Sequence, residues 1–302
     1  MNRLRLLGIT LLPLLCLLAT ASAQAQGCRA KISDISRIEP SPTDYEPYDD
    51  DPPAYAEFSV DFQNGSPCTV VVGIDDGRNG TRVMEDGGER LAYELYKDAS
   101  LKQRVNDVFG EEGGLFVATL DGKKDSQQFQ LFSRVLPGQL VSRGTYTDQV
   151  RFNIYEVRDG VRTGPVSSQT VQVRTRVRDV VQAAVVVGGN WAPLAGTAGV
   201  LDLGNLAENR SGSFSLEVLG NGDYDLVLES ENRGQLSAPG LSSGIAYQLS
   251  VDGRSMSLSS PVTLRLGGKG VQRYELVVSV PSVDRALAGT YRDNLVLTVT
   301  AR

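Results

Sequence analysis

Hydrophobic and polar residues alternate along most of this chain in short runs broken by Gly, Pro, Asn and Asp. In Ala56-Glu57-Phe58-Ser59-Val60-Asp61-Phe62 every second residue is apolar. Successive side chains of a strand point to opposite faces, so such a run buries one face and wets the other. Gln63-Asn64-Gly65-Ser66-Pro67 then supplies turn residues before Thr69-Val70-Val71-Val72-Gly73-Ile74. Further strands are predicted over 115–120 and 129–135. In 170–178 Val171, Val173, Thr175 and Val177 face one way while Gln172, Arg174, Arg176 and Arg178 face the other. Helical periodicity is confined to a short stretch near 95–108. The expected class is all-β.

Phe58-Ser59-Val60-Asp61-Phe62 recurs in polarity as Phe214-Ser215-Leu216-Glu217-Val218, at an offset of 156 residues. Gly144-Thr145-Tyr146-Thr147-Asp148 recurs as Gly289-Thr290-Tyr291-Arg292-Asp293, at an offset of 145. Two ordered matches indicate internal duplication. The drift in offset makes the first copy longer, and we assign the excess to loops between Ala99 and Gly122. At 302 residues the chain exceeds what one sandwich needs. The expected domains are 26–178 and 179–302, joined by a few residues. After its Gly-Thr-Tyr strand the first copy continues into 170–178. The second copy runs through Leu295, Leu297 and Val299 and the sequence ends at Arg302. The second sandwich is therefore expected to lack its last strand. Leu295, Leu297 and Val299, set on Val150, Phe152 and Ile154 of the first copy, would line an open groove beside an unpaired edge, an arrangement prone to aggregate unless covered.

The N-terminus reads as a signal peptide over 1–25. Arg3 and Arg5 precede an apolar run from Leu6 to Leu18, and Ala21-Ser22-Ala23 or Ala23-Gln24-Ala25 supplies small residues for cleavage. The apolar run is shorter than the roughly 20 residues a membrane span takes. Removing the leader takes Cys16 from the three cysteines and both leader arginines from the 30 basic residues. That leaves 28 basic residues against 36 acidic ones, a formal charge of −8. Such a balance gives no footing for nucleic acid. Cys28 and Cys68 then have only each other, and an oxidising compartment would join them. Both are missing together from the second copy. The chain has no His, and no Gly-Lys-Ser/Thr phosphate loop. No enzyme, cofactor or metal is expected.

The two Gly-Thr-Tyr-x-Asp phrases, with Tyr93-Glu94-Leu95-Tyr96-Lys97-Asp98, Leu136-Pro137-Gly138-Gln139 and Val200-Leu201-Asp202-Leu203-Gly204-Asn205-Leu206, resemble the spore coat U, or secreted pili, domain of archaic chaperone-usher pilins. The resemblance implies two tandem immunoglobulin-like β-sandwich domains, the C-terminal one completed by donor-strand complementation. It implies as partners a periplasmic chaperone, an outer-membrane usher and the N-terminal donor strand of the next subunit. Cleavage after Ala25 would tie the third mature residue to Cys68 and leave no tail to donate. The expected role is then a pilus-tip adhesin at the cell surface, attaching to an abiotic or host surface and supporting biofilm. The rival readings are a secreted coat or matrix protein that does not polymerise, and a polysaccharide-binding protein.

Two further stretches are candidates for contact. Val108, Phe109, Leu115 and Phe116, flanked by Gly110, Gly113 and Gly114, could form an exposed apolar adhesive loop; the competing reading makes 115–120 a core strand. Asp44, Glu46, Asp49, Asp50 and Asp51, interleaved with Tyr45, Tyr48 and prolines, lack the ligand spacing of a calcium loop and read as structural.

Overall fold

A computed structural model describes residues 27–48, 52–64, 67–107, 114–121, 125–188, 190–193, 199–206, 210–284 and 286–302. The leader, Cys16, Asp49 to Asp51, Val108 and Phe109 lie outside the described residues. Among those described the fold is all-β, with no α-helix. The first copy contains β1 (Arg29–Ser33), β2 (Arg37–Ile38), β3 (Ala54–Asn64), β4 (Cys68–Ile74), β5 (Val83–Asp86), β6 (Glu89–Tyr96), β7 (Phe116–Leu120), β8 (Ser126–Val135), β9 (Gly144–Arg158) and β10 (Val161–Val177). The second contains β11 (Val181–Val187), β12 (Asn190–Pro193), β13 (Arg210–Ser230), β14 (Gln235–Leu236), β15 (Ile245–Ala246), β16 (Gln248–Val251), β17 (Arg254–Met256), β18 (Val262–Val280) and β19 (Leu295–Ala301). No pairing joins a strand of the first set to one of the second among the described residues.

In the first copy one layer runs β1-β3-β8-β6 and the other β7-β4-β9-β10-β2, with β5 bridging β6 and β9. The alternation seen in sequence explains the packing. Phe58, Val60 and Phe62 face Val70, Val72, Ile74, Phe152 and Ile154, all buried. Phe58 is fully buried, and its ring meets Phe116 and Phe152 edge-on, at centroid distances of 5.1 and 5.3 Å. β10 closes this copy. It lies antiparallel to β9 from Thr170↔Arg151 to Val177↔Gly144, and β2 pairs with it in parallel.

The second copy makes the same layers from a longer ribbon. β13 pairs with β18 without a break from Arg210↔Val280 to Leu228↔Val262. Phe214, Leu216, Val218, Tyr224, Leu226 and Leu228 all point into one core. An apolar face that never changes side can enclose a core only if the ribbon curls onto itself. The curl falls where Gly220 pairs with Gly270 and Gly222 with Gly268, with φ of 148° at Gly268 and 81° at Gly270. Glycine alone adopts such angles without strain. In the first copy the ribbon is instead cut, between β3 and β4 and between β7 and β8.

That difference resets the register. Val72 lies between Ile154 and Phe116, and its counterpart between Val299 and Leu264 is Leu226, 154 residues on rather than 156. Cys68 therefore corresponds to Gly222, not Tyr224. The Cys28–Cys68 disulfide is formed, with Cα atoms 6.0 Å apart. It bridges the start of β1 to the start of β4, beside the cut that the second copy does not have. The extra length of the first copy falls between β6 and β7, residues 97–115 against 252–261 between β16 and β18.

The Gly-Thr-Tyr-x-Asp phrase does the same two things in both copies. The Tyr146 hydroxyl donates back to Ser142 O at 3.0 Å and that of Tyr291 to Leu287 O at 2.9 Å, a tyrosine corner that pins the turn to its strand. The Asp takes a hydroxyl from another tyrosine: Tyr93 to Asp148 at 2.8 Å and Tyr247 to Asp293 at 2.5 Å. Each Asp also accepts a backbone N–H, from Asn79 or Asn232. Burial, reinforced by the neighbouring carboxylate, raises the pKa of both tyrosines well above the usual value. Tyr146→Phe should lower stability by about 1 kcal/mol, the worth of one net hydrogen bond, read as a fall in the urea midpoint at constant slope. An unchanged midpoint would show that the hydroxyl contributes nothing.

Candidate functional site

The site is an edge. β19 pairs with β13 from Ser230↔Leu295 to Tyr224↔Ala301. Among the described residues no strand pairs with its other side. In the first copy the corresponding edge of β9 carries β10. The consequence shows in burial. Val150, Phe152 and Ile154 are fully buried beneath the closing strand, whereas Leu295, Leu297 and Val299 are only half-buried. Val296, between them, points outward and is 53% exposed.

The opposite wall repeats the contrast. Ala30 and Ile32 of β1 are buried, but Val181 and Val185 of β11 are half-buried. Beyond them, exposure alternates from Val200 to Gly204, with Leu201 and Leu203 turned towards the second core and Val200 82% exposed. This is the side-chain pattern of a strand, yet no strand is assigned there. Residues 200–203 thus turn alternate side chains towards the second core without a ladder partner among the described residues, and the chain bends at Gly204, whose φ is 64°. What fills the equivalent space in the first copy is Val171, Val173, Thr175 and Val177, none more than 4% exposed. Such a groove offers unpaired backbone groups beside an apolar floor, which is the chemistry of strand addition.

The sequence pointed to Leu295, Leu297 and Val299, and the structure brings them together along one wall. It did not point to Val181, Val185, Leu201 and Leu203 as the other wall. The signal available was the period-two pattern of 200–204, noted only for its resemblance.

Leu115 and Phe116 are corrected from adhesive loop to interior. Phe116 belongs to β7, is 4% exposed, and packs its ring against Phe58 and Phe129. Leu115 is 7% exposed and closes a small cluster with Val71 and Tyr155. Beside that cluster Asp107 accepts from Asn153 Nδ2 at 2.7 Å and from the Tyr155 hydroxyl at 2.8 Å, and Arg162 stacks on the Tyr155 ring at 3.9 Å. Burial, with the Asp107 carboxylate beside it, pushes the Tyr155 hydroxyl up to about 12. The described part of the acidic stretch is a strap. Tyr45 is 1% exposed and bridges Val177, while Asp44 and Glu46 pair with Arg176 and Arg178.

Gly240-Leu241-Ser242-Ser243-Gly244 has the Gly-x-Ser-x-Gly spacing of a hydrolase nucleophile. It lies in the loop between β14 and β15 with both serines exposed, not on a strand-to-helix turn, and the chain has no His to serve as base.

Residues 53–153 match the family model of the Spore Coat Protein U domain. No curated protein sequence matches the chain. Among solved structures the chain is similar to the chaperone–tip adhesion subunit pre-assembly complex of archaic chaperone-usher Csu pili from Acinetobacter baumannii. There the identity is 13%, with 89% of this chain and 99% of that one covered and a TM-score of 0.46. It is also similar to the CupB6 tip adhesin of Pseudomonas aeruginosa at 8% identity, covering 90% of this chain and 94% of that one, with a TM-score of 0.40.

Proposed function

We propose that this chain, which carries a Spore Coat Protein U domain at residues 53–153, is an exported adhesin subunit of a chaperone-usher pilus. Residues 26–178 form its closed, surface-facing sandwich and residues 179–302 a pilin-type sandwich that accepts a donor strand. The carrying observation is the contrast between fully buried Val150, Phe152 and Ile154 and half-buried Leu295, Leu297 and Val299 beside a free edge. The donor lies antiparallel to β19 on one side and meets residues 200–204 on the other, as β10 lies between β9 and β2. A strand of a periplasmic chaperone fills the groove before assembly and the next subunit's extension afterwards. The usher secretes the chain, and the first copy, already closed by β10, meets the target surface and seeds attachment and biofilm.

The test compares the chain with and without a strand of the Val171–Val177 pattern fused after Arg302 through a flexible linker. The fused chain is expected to be soluble and monomeric, with a cooperative transition for the second copy. The bare chain is expected to aggregate or to purify only with its chaperone. A bare chain that is monomeric and melts like the fused one has no open groove, and the non-polymerising secreted protein then becomes the better account.

A further inference from the structure

The second copy meets the first at the curl of its own ribbon. Asn221 sits in that curl, 1% exposed, and its whole side chain is engaged. Its Oδ1 accepts from Val180 N at 2.8 Å, and its Nδ2 donates to Arg178 O at 2.8 Å and to Val141 O at 3.2 Å. Its own N–H donates to Val180 O at 3.2 Å. A side-chain amide offers two donors and one acceptor oxygen. Here they fasten three pieces of chain together: the curl, the 178–180 link and the loop that carries Val141.

Polar contacts ring this point. The Tyr48 hydroxyl donates to Gly220 O at 3.3 Å, Lys269 Nζ lies 2.5 Å from Glu89 Oε1, and Arg143 pairs with Asp179 at 2.9 Å. Burial alone would push the Glu89 carboxyl up, but Lys269 and two donors from Ser142 hold it down to about 2. A Cβ on Gly270, across the ribbon from Gly220, would touch Leu140 of the first copy at 3.6 Å. The position has a counterpart in the first copy. There the disulfide clips the start of β1 to Cys68, which corresponds to Gly222, one residue from Asn221. The second copy has no cysteine, and the reciprocal bonds of Val180 and Asn221 occupy the same place in the layout.

We infer that Asn221 is a lock that fixes the two sandwiches in one orientation, so that the 178–180 link is not a hinge. A buried amide satisfied by both sides can leave neither without stranding polar groups, which is costly in a dry site. The first sandwich therefore projects from the second in one set direction, whatever occupies the groove.

The test places spin labels on the chain without residues 1–25 and with the donor strand fused after Arg302, at Thr119→Cys and Thr263→Cys, exposed strand positions in the first and second copies. The native pair, being disulfide-bonded, takes no label. The unmodified joint is expected to give one narrow distance distribution. Asn221→Ala is expected to broaden it to about twice the width, because motion at an unlocked domain link is a large-amplitude rigid-body motion. Asn221→Asp should broaden it similarly, since its carboxylate faces two carbonyl oxygens. A broad distribution in the parent chain, or variants as narrow as the parent, overturns the lock. If neither Asn221 variant folds, the pair Tyr48→Phe and Lys269→Gln strips the rim and leaves the curl intact. The distribution should then stay as narrow as the parent's, and one that broadens gives the lock to the rim and not to Asn221.

Discussion

Replacing both Cys28 and Cys68 by Ala is expected to lower the stability of the first copy by about 4 kcal/mol. The bridge closes a loop with a sequence separation of 40. On the chain-entropy account such a loop removes that much from the unfolded state. For a unit of this size the loss is a fall of roughly 10 °C in melting temperature. The location matters as much as the magnitude. The bridge spans the cut between β3 and β4, where the first copy lacks the backbone continuity that β13 gives the second. Amide exchange should accordingly accelerate first in β1 and β4, while β13 and β18 keep their protection. A loss below about 1 kcal/mol, against the typical 2–4 kcal/mol for a native bridge, would mean that the cut is held by packing alone.

Leu297→Asp is expected to weaken donor capture by at least roughly 100-fold. In the open groove the side chain is half-buried and a carboxylate there reaches water. Once a donor strand lies over it, the charge has no partner, and burying an unpaired charge costs about 3 kcal/mol or more. At about 1.4 kcal/mol per tenfold this is a weakening of at least roughly 100-fold. Val296→Asp is the matched control. Val296 lies one residue away on the outer face at 53% exposure, and the variant should bind as the parent does. Refolding of both variants and the parent from denaturant with increasing donor peptide reads the difference, as the peptide concentration that keeps half of the chain soluble. Equal weakening by the two substitutions would show that the inner face of β19 is not the contact.

Much of this was legible in the residues, and what was not has physical causes. Period-two alternation identified the strands because one face of each is buried. The repeat drew attention to Leu295, Leu297 and Val299 because they share the pattern of Val150, Phe152 and Ile154, which β10 covers in the first copy. Glycine defeated the reading elsewhere. Gly220-Asn221-Gly222-Asp223 has the residues of a tight turn, but here the same conformational freedom bends a strand that continues for 21 residues. That continuity shifted the register by two and hid Asn221. Phe116 was ambiguous for a different reason: a phenyl ring next to glycines looks the same in sequence whether it faces solvent or a core.

The uncut ribbon has a mechanical meaning. A strand seated along β19 hands tension to β13 through seven consecutive residue pairs that lie side by side along the line of pull. They are sheared as a group rather than unzipped in turn. The force then continues through a single covalent backbone around the curl to the partner of β11. On the proposed function, the copy that would take a neighbour's strand is built like a splice, and the copy that would face the target surface is cut and clipped.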